Sequence, residues 1–286
     1  MPEGPEVRVV ADQLQSVLVG KYLNGFVHLG SLLQIITVGK QLYFIFEDQE
    51  QILNSSLGMT GHWLLYLDEK KVKPKHTKAI LHWGSEIVPL SHDNDNNLVS
   101  QILILDTTVY YHDVRGFGKM TWMSLSEAYE KMKEHPHDWL QMIIPQTYSI
   151  PIPSEVTTPP NLDIICRKEK EICKLLLDPK ISSGIGNYIR CEALYLARIH
   201  PFSLANKLSK HDKQRLFDAI CYVMEESYLH TGLTLGDFIA PDYSLGVYAP
   251  HIYGLSYTED GFPIVKLPAE KGRHVHVCLE KQALIV

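Results

Sequence analysis

A cluster of five prolines in residues 145–160 divides the 286-residue chain into two parts of different character. Proline lacks a backbone N–H and fixes φ, so a segment this rich in proline cannot continue a helix or a central strand. We therefore predict an extended connector over residues 148–160, with a domain on each side. The clustered residues are Pro145, Pro151, Pro153, Pro159 and Pro160.

The part before the prolines has the pattern of an antiparallel β domain. Apolar spacing over residues 5–18, with Pro5 in the first turn and Gly20 after the end, predicts a short amphipathic helix. Short apolar runs separated by turn residues then predict a sandwich or barrel of about seven or eight strands. A helix follows at Ser126–Glu134. The runs are 32–38, 41–46, 51–53, 63–66, 79–83, 102–105 and 109–111.

Helical periodicity replaces this pattern after the prolines. It covers residues 162–177, 187–197 and 209–228, and Ser209 and Asp212 are placed to cap the last of these helices. Short apolar runs return at 247–253, 264–267 and 274–279, which predicts a few strands that end in a hairpin. The expected fold class is therefore α+β with two domains.

The net charge of -6 argues, taken over the whole chain, against a nucleic-acid partner. Residues 1–160 carry 12 basic and 18 acidic side chains, residues 161–218 carry 11 and 7, and residues 219–286 carry 4 and 8. The helical segment therefore has a charge of +4, which is compatible with phosphate binding.

Cysteine content and hydropathy indicate the compartment. The five cysteines are odd in number and form none of the close pairs of zinc or redox motifs, so we expect a reduced, intracellular compartment and no structural metal. Cytoplasm, nucleoid and nucleus all remain open. The apolar runs are far shorter than the roughly 18 residues of a membrane span, and residues 1–20 do not resemble a secretory signal.

Two short segments contain residues that could take part in catalysis or anion binding. Removal of Met1 would leave Pro2 with a free secondary amine, a nucleophile, beside Glu3 as a proton carrier. The same start could simply open a helix with acids placed on its dipole. The turn Gly184-Ile185-Gly186-Asn187 exposes backbone N–H groups at the start of a helix, which suits an anion, although an ordinary interhelical turn has the same composition.

Five segments occur in the order and approximate spacing of one known family. The chain resembles the formamidopyrimidine-DNA glycosylase and endonuclease VIII family of DNA repair enzymes over almost its whole length. The segments are Met1 to Leu14, Leu57-Gly58-Met59-Thr60-Gly61, Asp113-Val114-Arg115-Gly116-Phe117-Gly118, the Asn187 loop running on to Ile199-His200-Pro201, and Thr234-Leu235-Gly236-Asp237-Phe238.

The resemblance implies a catalytic role for the N-terminal residues. Pro2 resembles the nucleophile that attacks C1′ of the damaged nucleotide and forms a Schiff base, which leads to β- and then δ-elimination. Glu3 resembles the acid that opens the sugar ring, and Glu6 matches a supporting acidic position. The implied activity is that of a bifunctional glycosylase and abasic-site lyase of base excision repair, acting on oxidised or ring-opened bases.

The resemblance also implies how DNA would be held. Lys40, which also belongs to the catalytic set, Asn187 and Arg273 match positions that bind backbone phosphates. Met59, Arg115 and Phe117 match the residues that fill the gap left by an extruded base. The implied partner is damaged duplex DNA, bound by a monomer without membrane association. The preferred lesion, an oxidised pyrimidine or 8-oxoguanine and formamidopyrimidines, stays open.

One departure from the family concerns its C-terminal zinc finger. Residues 253–282 offer only His274, His276 and Cys278, and this pattern resembles the family's zincless finger, a β-hairpin held by packing. We therefore expect no zinc and no other cofactor. The implied domains are a catalytic β-sandwich (1–147), the connector (148–160), a helix-two-turn-helix domain (161–242) and the zincless-finger hairpin (243–286).

Two other functions would use part of these residues. A damage-binding protein could keep the fold and have lost turnover, although the presence of Pro2, Glu3, Lys40 and Asn187 speaks against it. An amino-terminal proline tautomerase would use Pro2 as well, but it gives no role to the residues from Met59 to Arg273.

Overall fold

The computed structural model describes residues 2–68, 70–71, 73–92, 98–234 and 238–286. The helices are α1 (Gly4–Leu18), α2 (Leu125–Lys133), α3 (Trp139–Ile143), α4 (Ser154–Thr157), α5 (Leu162–Ile165), α6 (Ile172–Leu176), α7 (Asn187–Leu196) and α8 (Lys210–Leu229). The strands are β1 (Tyr22–Leu23), β2 (Leu32–Val38), β3 (Gln41–Phe46), β4 (Gln51–Ser56), β5 (Gly61–Leu64), β6 (Thr77–His92), β7 (Leu98–Asp113), β8 (Lys119–Ser124), β9 (Val265–Pro268) and β10 (His274–Val277).

Two four-stranded antiparallel sheets form the N-terminal part, in the orders β1-β6-β7-β5 and β2-β3-β4-β8. Phe44 and Phe46 from one sheet, Trp63 and Trp83 from the other, and the buried face of α1 share one core. The predicted antiparallel sandwich is therefore confirmed. The predicted runs 102–105 and 109–111 belong to a single long strand, β7.

Strand β3 is buried on both sides, because its alternate residues enter two different cores. Phe44 faces the sandwich core, whereas Tyr43 and Ile45 face a second cluster that contains Ala128 of α2. Ile150 and Val156 complete this second cluster. The proline-rich segment is therefore packed against the sandwich and contains the short helix α4, so the prediction that it is extended throughout was wrong.

The helical part has its own core, in which α7 and α8 pack together. Trp139 and Leu140 of α3 belong to this core, although they precede the predicted boundary at residue 148. The predicted helix over 162–177 is interrupted: α5 and α6 are separated by the charged residues 167–171, which offer no apolar side chain to bury. Ser209 caps α8 with Asp212 as predicted.

The chain ends in the predicted hairpin, an antiparallel pair in which His274 lies opposite Pro268 and Val277 lies opposite Val265. Residues 247–253 form no regular strand. The buried carboxylate of Glu192 accepts hydrogen bonds from the backbone N–H groups of 251, 252 and 253, and three consecutive groups cannot point to one acceptor in a strand. Among the described helices, none is both long and apolar enough to cross a membrane.

Candidate active site

The N-terminus of α1 places two carboxylates in the interior. Glu3 is the N-cap residue of this helix, and its backbone N–H donates to Oε2 of Glu6 at 2.9 Å in a capping box. Pro2, Glu3 and Glu6 are all buried. The first residues of the chain are therefore fixed within the fold, as a site built on Pro2 and Glu3 requires.

The Glu3 side chain lies on the N-terminus of α7. Its Oε1 accepts a hydrogen bond from the backbone N–H of Tyr188 at 2.9 Å, and its Oε2 accepts one from Ile189 at 3.3 Å. The N-cap residue of α7, Gly186, has no side chain to cap the helix, and a Cβ at this position would overlap the Glu3 carboxyl group. Glu3 therefore caps a helix that is remote in sequence.

Burial raises the pKa of Glu3, Lys40 and the α7 hydrogen bonds lower it, and the neighbouring Glu6 raises it, with a net pKa of about 7. A carboxyl group with this pKa is present in both protonation states near neutral pH. It can therefore donate a proton and take one back within a single reaction.

The Glu6 carboxylate connects three segments of the chain through hydrogen bonds. Its Oε1 accepts hydrogen bonds from the Tyr188 hydroxyl at 2.8 Å and from the backbone N–H of Leu233 at 3.1 Å. The same Tyr188 hydroxyl lies 2.7 Å from Oγ of Ser227 on α8. Since its oxygens are all engaged in these contacts and with Glu3, Glu6 holds α1, α7 and the segment after α8 together.

Lys40 reaches the site from the tip of the β2–β3 hairpin. Gly39 and Lys40 form the two-residue turn, and Gly39 adopts φ +60°, which favours glycine at this position. The Gly39 N–H donates to Oδ2 of the buried Asp138 at 2.8 Å, which fixes the turn against the helical part. Burial lowers the pKa of Lys40, whereas Glu3 and Glu6 raise it, so the ammonium group lies in the field of both carboxylates.

The other two predicted phosphate contacts lie on the same side. The Arg273 cation also lowers the pKa of Lys40, so the two positive charges are close enough to repel each other. Asn187 is the first residue of α7, and its Nδ2 donates to the backbone carbonyl of His274 at 3.1 Å. Lys40 thus lies in the electrostatic field of both Glu3 and Arg273, and Asn187 contacts the hairpin at His274, the residue after Arg273.

Met59, Arg115 and Phe117 lie on two adjacent loops at one end of the sandwich. Nη1 of Arg115 is 3.6 Å from the sulfur of Met59, and Phe117 is 59% exposed. The fully buried Asp113 accepts hydrogen bonds from Thr60, and from the N–H groups of Arg115 and Gly118. Burial opposes ionisation of Asp113, but these hydrogen bonds together lower its pKa. The three predicted gap-filling side chains therefore project from a braced pair of loops.

Sequence reasoning missed several residues that hold this arrangement. Asp138 could have been recognised as a helix N-cap, since it precedes the apolar start of α3 and its Oδ1 accepts from Leu140 N–H. Arg190 gives no such signal, because a charge inside a short helix is read by default as exposed. It is fully buried and bonds both Asn187 and Glu270.

Part of the predicted set lies outside the described structure. Residues 235–237, the centre of the Thr234–Phe238 motif, are not among the described residues. Within the described ranges, no group of three or more His, Cys, Asp or Glu side chains is arranged to hold a metal ion. The expectation that the C-terminal hairpin holds no zinc stays a prediction.

Comparison with known proteins gives a consistent result. The family profile described as "Formamidopyrimidine-DNA glycosylase H2TH domain" matches residues 151–237. A relative from Herpetosiphon aurantiacus named formamidopyrimidine-DNA glycosylase is 27% identical over 290 residues, which cover 99% of this chain and 100% of the relative. One from Bartonella quintana with the same name is 28% identical over 315 residues, with coverage of 99% and 100%.

Solved structures share the fold along the whole chain. The MutM (Fpg) protein from Thermus thermophilus superposes with a TM-score of 0.72 at 24% identity, covering 99% of each chain. The Lactococcus lactis Fpg in complex with DNA containing an abasic site superposes with a TM-score of 0.71 at 22% identity, covering 99% of this chain and 100% of that one. At these identities the likeness concerns the fold alone.

Proposed function

Because this chain belongs to the formamidopyrimidine-DNA glycosylase and endonuclease VIII family, we propose that it is a DNA glycosylase of base excision repair that also cleaves the strand as an abasic-site lyase. The observation that carries this proposal is the buried Glu3 carboxyl group, whose pKa is raised to about 7 next to Pro2 at the start of α1. The names of the relatives and the DNA bound to the Lactococcus lactis protein support the substrate class.

The reaction begins at Pro2. Once Met1 is removed, the neutral secondary amine attacks C1′ of the damaged nucleotide, and the bond between C1′ and the base breaks as the base leaves with its electron pair. Protonated Glu3 donates to the ring oxygen of the sugar, so the ring opens and the proline nitrogen forms an iminium with C1′. The proton of the amine goes to the departing base. Glu3, now ionised, takes the C2′ proton as the 3′ phosphate leaves, loss of the C4′ proton to water then expels the 5′ phosphate, and hydrolysis of the iminium frees Pro2.

A raised pKa suits Glu3 to both halves of this reaction. In its protonated form it opens the sugar ring, and in its ionised form it stabilises the positive charge that develops on the iminium. Lys40, in the field of Glu3, is suited to hold the phosphate of the same nucleotide. Asn187 and Arg273 offer further donors for the same strand.

The braced loops would occupy the space that the extracted nucleotide leaves. Met59 is a flexible apolar side chain, Arg115 carries planar donors for the unpaired base, and Phe117 is an exposed ring able to stack between base pairs. Without such a filler the duplex would lose stacking energy of a few kcal/mol.

Borohydride trapping tests the proposal. The protein is incubated with duplexes that carry an oxidised pyrimidine, 8-oxoguanine, a formamidopyrimidine or an abasic site, and then reduced. We expect a covalent protein–DNA band that is weakened in Pro2→Gly, whose terminal amine is primary, weakened in Glu3→Gln, and lost when the two changes are combined. Glu50→Gln makes the same chemical change at an exposed carboxylate and should leave the band intact. The lesion with the fastest trapping identifies the preferred substrate.

Two outcomes would contradict the proposal. Absence of a band with every lesion, combined with tight binding of an abasic analogue, would support a damage-binding protein without turnover. A band of undiminished intensity in the double variant with Pro2→Gly and Glu3→Gln would contradict the mechanism.

A further inference from the structure

Arg190 is a buried cation that the proposed reaction does not use. It lies in α7 almost one turn after Asn187, and none of its side chain is exposed to solvent. A charge in this position is costly unless it is paired and hydrogen-bonded, so its contacts indicate what it does.

The Arg190 guanidinium bonds to three separate segments. Nη1 donates to Oε1 of Glu270 at 2.5 Å and to the backbone carbonyl of Cys173 at 3.0 Å. Nε and Nη2 both donate to Oδ1 of Asn187, at 3.1 and 2.7 Å. Four of the five guanidinium N–H donors are thereby used, and they connect α6, the start of α7 and the turn of the C-terminal hairpin.

The two bonds to Asn187 determine which way its amide faces. An arginine has donors only, so the amide oxygen must point toward it and the NH2 group must point away. That NH2 group donates to the carbonyl of His274 and to the Tyr253 hydroxyl, so a phosphate would share or replace one of these partners. Without Arg190 the amide could rotate and present its oxygen, which would repel a phosphate instead of binding it.

The bond to Glu270 holds the second phosphate contact. Glu270 begins the one-turn 3-10 segment between β9 and β10, and the Arg273 N–H donates to its backbone carbonyl at 3.1 Å. The Arg273 carbonyl in turn accepts from the N–H of Ala269 at 2.8 Å. The Glu270 side chain thus ties the turn that carries Arg273 to α7.

We propose that Arg190 is a positioning residue for recognition of the DNA backbone: it turns the donor of Asn187 outward and fixes the Arg273 turn against α7. This inference rests on the proposed function, because it concerns residues that bind phosphate. In this hairpin the Arg190–Glu270 ion pair supplies a cross-link between the hairpin and the helical part.

The test measures binding and chemistry separately, on a duplex with a stable abasic analogue and on a cleavable abasic duplex. Arg190→Met should weaken binding of the analogue by about tenfold or more, with a shallower salt dependence. Its single-turnover rate at saturating DNA should stay within about twofold of the wild type. Arg190→Lys keeps the charge without the fork and should not restore affinity.

Two controls separate positioning from stability. Val223→Ala truncates a core residue of α8, and should lower the melting temperature without changing affinity. Glu270→Gln keeps the shape of the side chain in case Arg190→Met does not fold, and should weaken binding less than Arg190→Met, because the Asn187 bonds remain. Adding Arg190→Met to Asn187→Ala should cost less than its effect in the wild type, since Arg190 acts partly through Asn187.

Two results would overturn the inference and leave the proposed function intact. In the first, Arg190→Met binds the analogue as tightly as the wild type. In the second, Val223→Ala has the same melting temperature as Arg190→Met and loses as much affinity. A fall in the saturated rate with unchanged affinity would also overturn it. Failure of the wild type itself to bind any damaged duplex would instead overturn the proposed function, and this inference with it.

Discussion

Oε1 of Glu3 lies 2.9 Å from the backbone nitrogen of Tyr188, a residue 185 positions later in the chain. The candidate acid is thus held by a helix that belongs to the other core, and its burial raises its pKa to about 7. The stability, pH dependence and chemistry of the protein are therefore coupled at this contact.

Glu3→Gln should stabilise the protein at high pH while it weakens activity. The pKa of Glu3 is about 7 in the folded state against an ordinary value of 4.5, so the folded state keeps a proton that the unfolded state releases. Its stabilisation is complete below about pH 4.5 and is lost as the pH rises to about 7. Between about pH 4 and pH 8 the difference in free energy of unfolding should shift toward the variant by roughly 3 kcal/mol at most. Urea titrations of the wild type and Glu3→Gln across this pH range measure the difference in free energy of unfolding. A difference that does not change with pH would contradict the prediction.

Gly186→Ala should disable the site without straining the backbone. The φ of Gly186 is -126°, which any residue adopts, so the nearest obstacle is the Glu3 carboxyl group that the new methyl would overlap. We expect a loss of stability of about 1–3 kcal/mol and slower trapping of abasic DNA. The matched control is the same substitution in Glu3→Ala, where the obstacle is gone. A stability loss of equal size in both backgrounds would exclude the steric explanation.

Asp138→Ala should disturb the position of Lys40 by loosening the hairpin turn that carries it. It removes the acceptor of the Gly39 N–H and leaves that buried group unpaired, which costs about 1–3 kcal/mol of stability and loosens the hairpin tip. Affinity for an abasic duplex should fall, with little further loss when Lys40→Ala is added. Asp138→Asn keeps an acceptor oxygen and should be milder. Full additivity of the Asp138→Ala and Lys40→Ala effects would contradict the link.

Phe117→Ala should leave the fold intact and slow the reaction on double-stranded DNA. The ring is 59% exposed, so the free energy of unfolding should change by less than about 0.5 kcal/mol. Processing of a lesion in double-stranded DNA should slow by about tenfold or more, because the gap in the stack is no longer filled. A single-stranded substrate has no such gap and serves as the control. Equal slowing on both substrates would argue for another role of the ring.

Treatment with a zinc chelator should change neither the melting temperature nor the trapping rate. The prediction follows from the donor set of the C-terminal hairpin, where the described residues form no metal-binding cluster. Thermal melts with and without the chelator, each followed by added zinc, measure it. A drop in melting temperature that zinc reverses would contradict it.

The sequence alone predicted those elements whose stabilising contacts lie close together in the chain. The bounds of β2 and β3 agree with the predicted runs, because Gly39 and the alternation of apolar residues are both visible in sequence. The Ser209 cap likewise lies within four residues of the bonds it makes. The order of motifs further indicated a resemblance to one family, and that resemblance supplied the candidate site residues, whose roles stay predictions.

The sequence did not predict those features that depend on contacts between residues far apart in the chain. Residues 247–253 alternate like a strand, but the Glu192 carboxylate draws three of their N–H groups to one point. Asp138 lies nearly a hundred residues from the Gly39 turn that it fixes. Arg190 had no signal, since burial of its charge depends on Glu270, which becomes a neighbour only after folding.

The path of the chain between its two cores has a mechanical consequence. Trp139 is inserted in the helical core, and the chain then returns to the sandwich, where Ile150 and Val156 are buried. A movement that pulled the two halves apart would have to extract one of these anchors, since no loose tether joins the halves along this segment. The two halves should therefore behave as one stiff body, and any DNA bound across them would have to supply the bending.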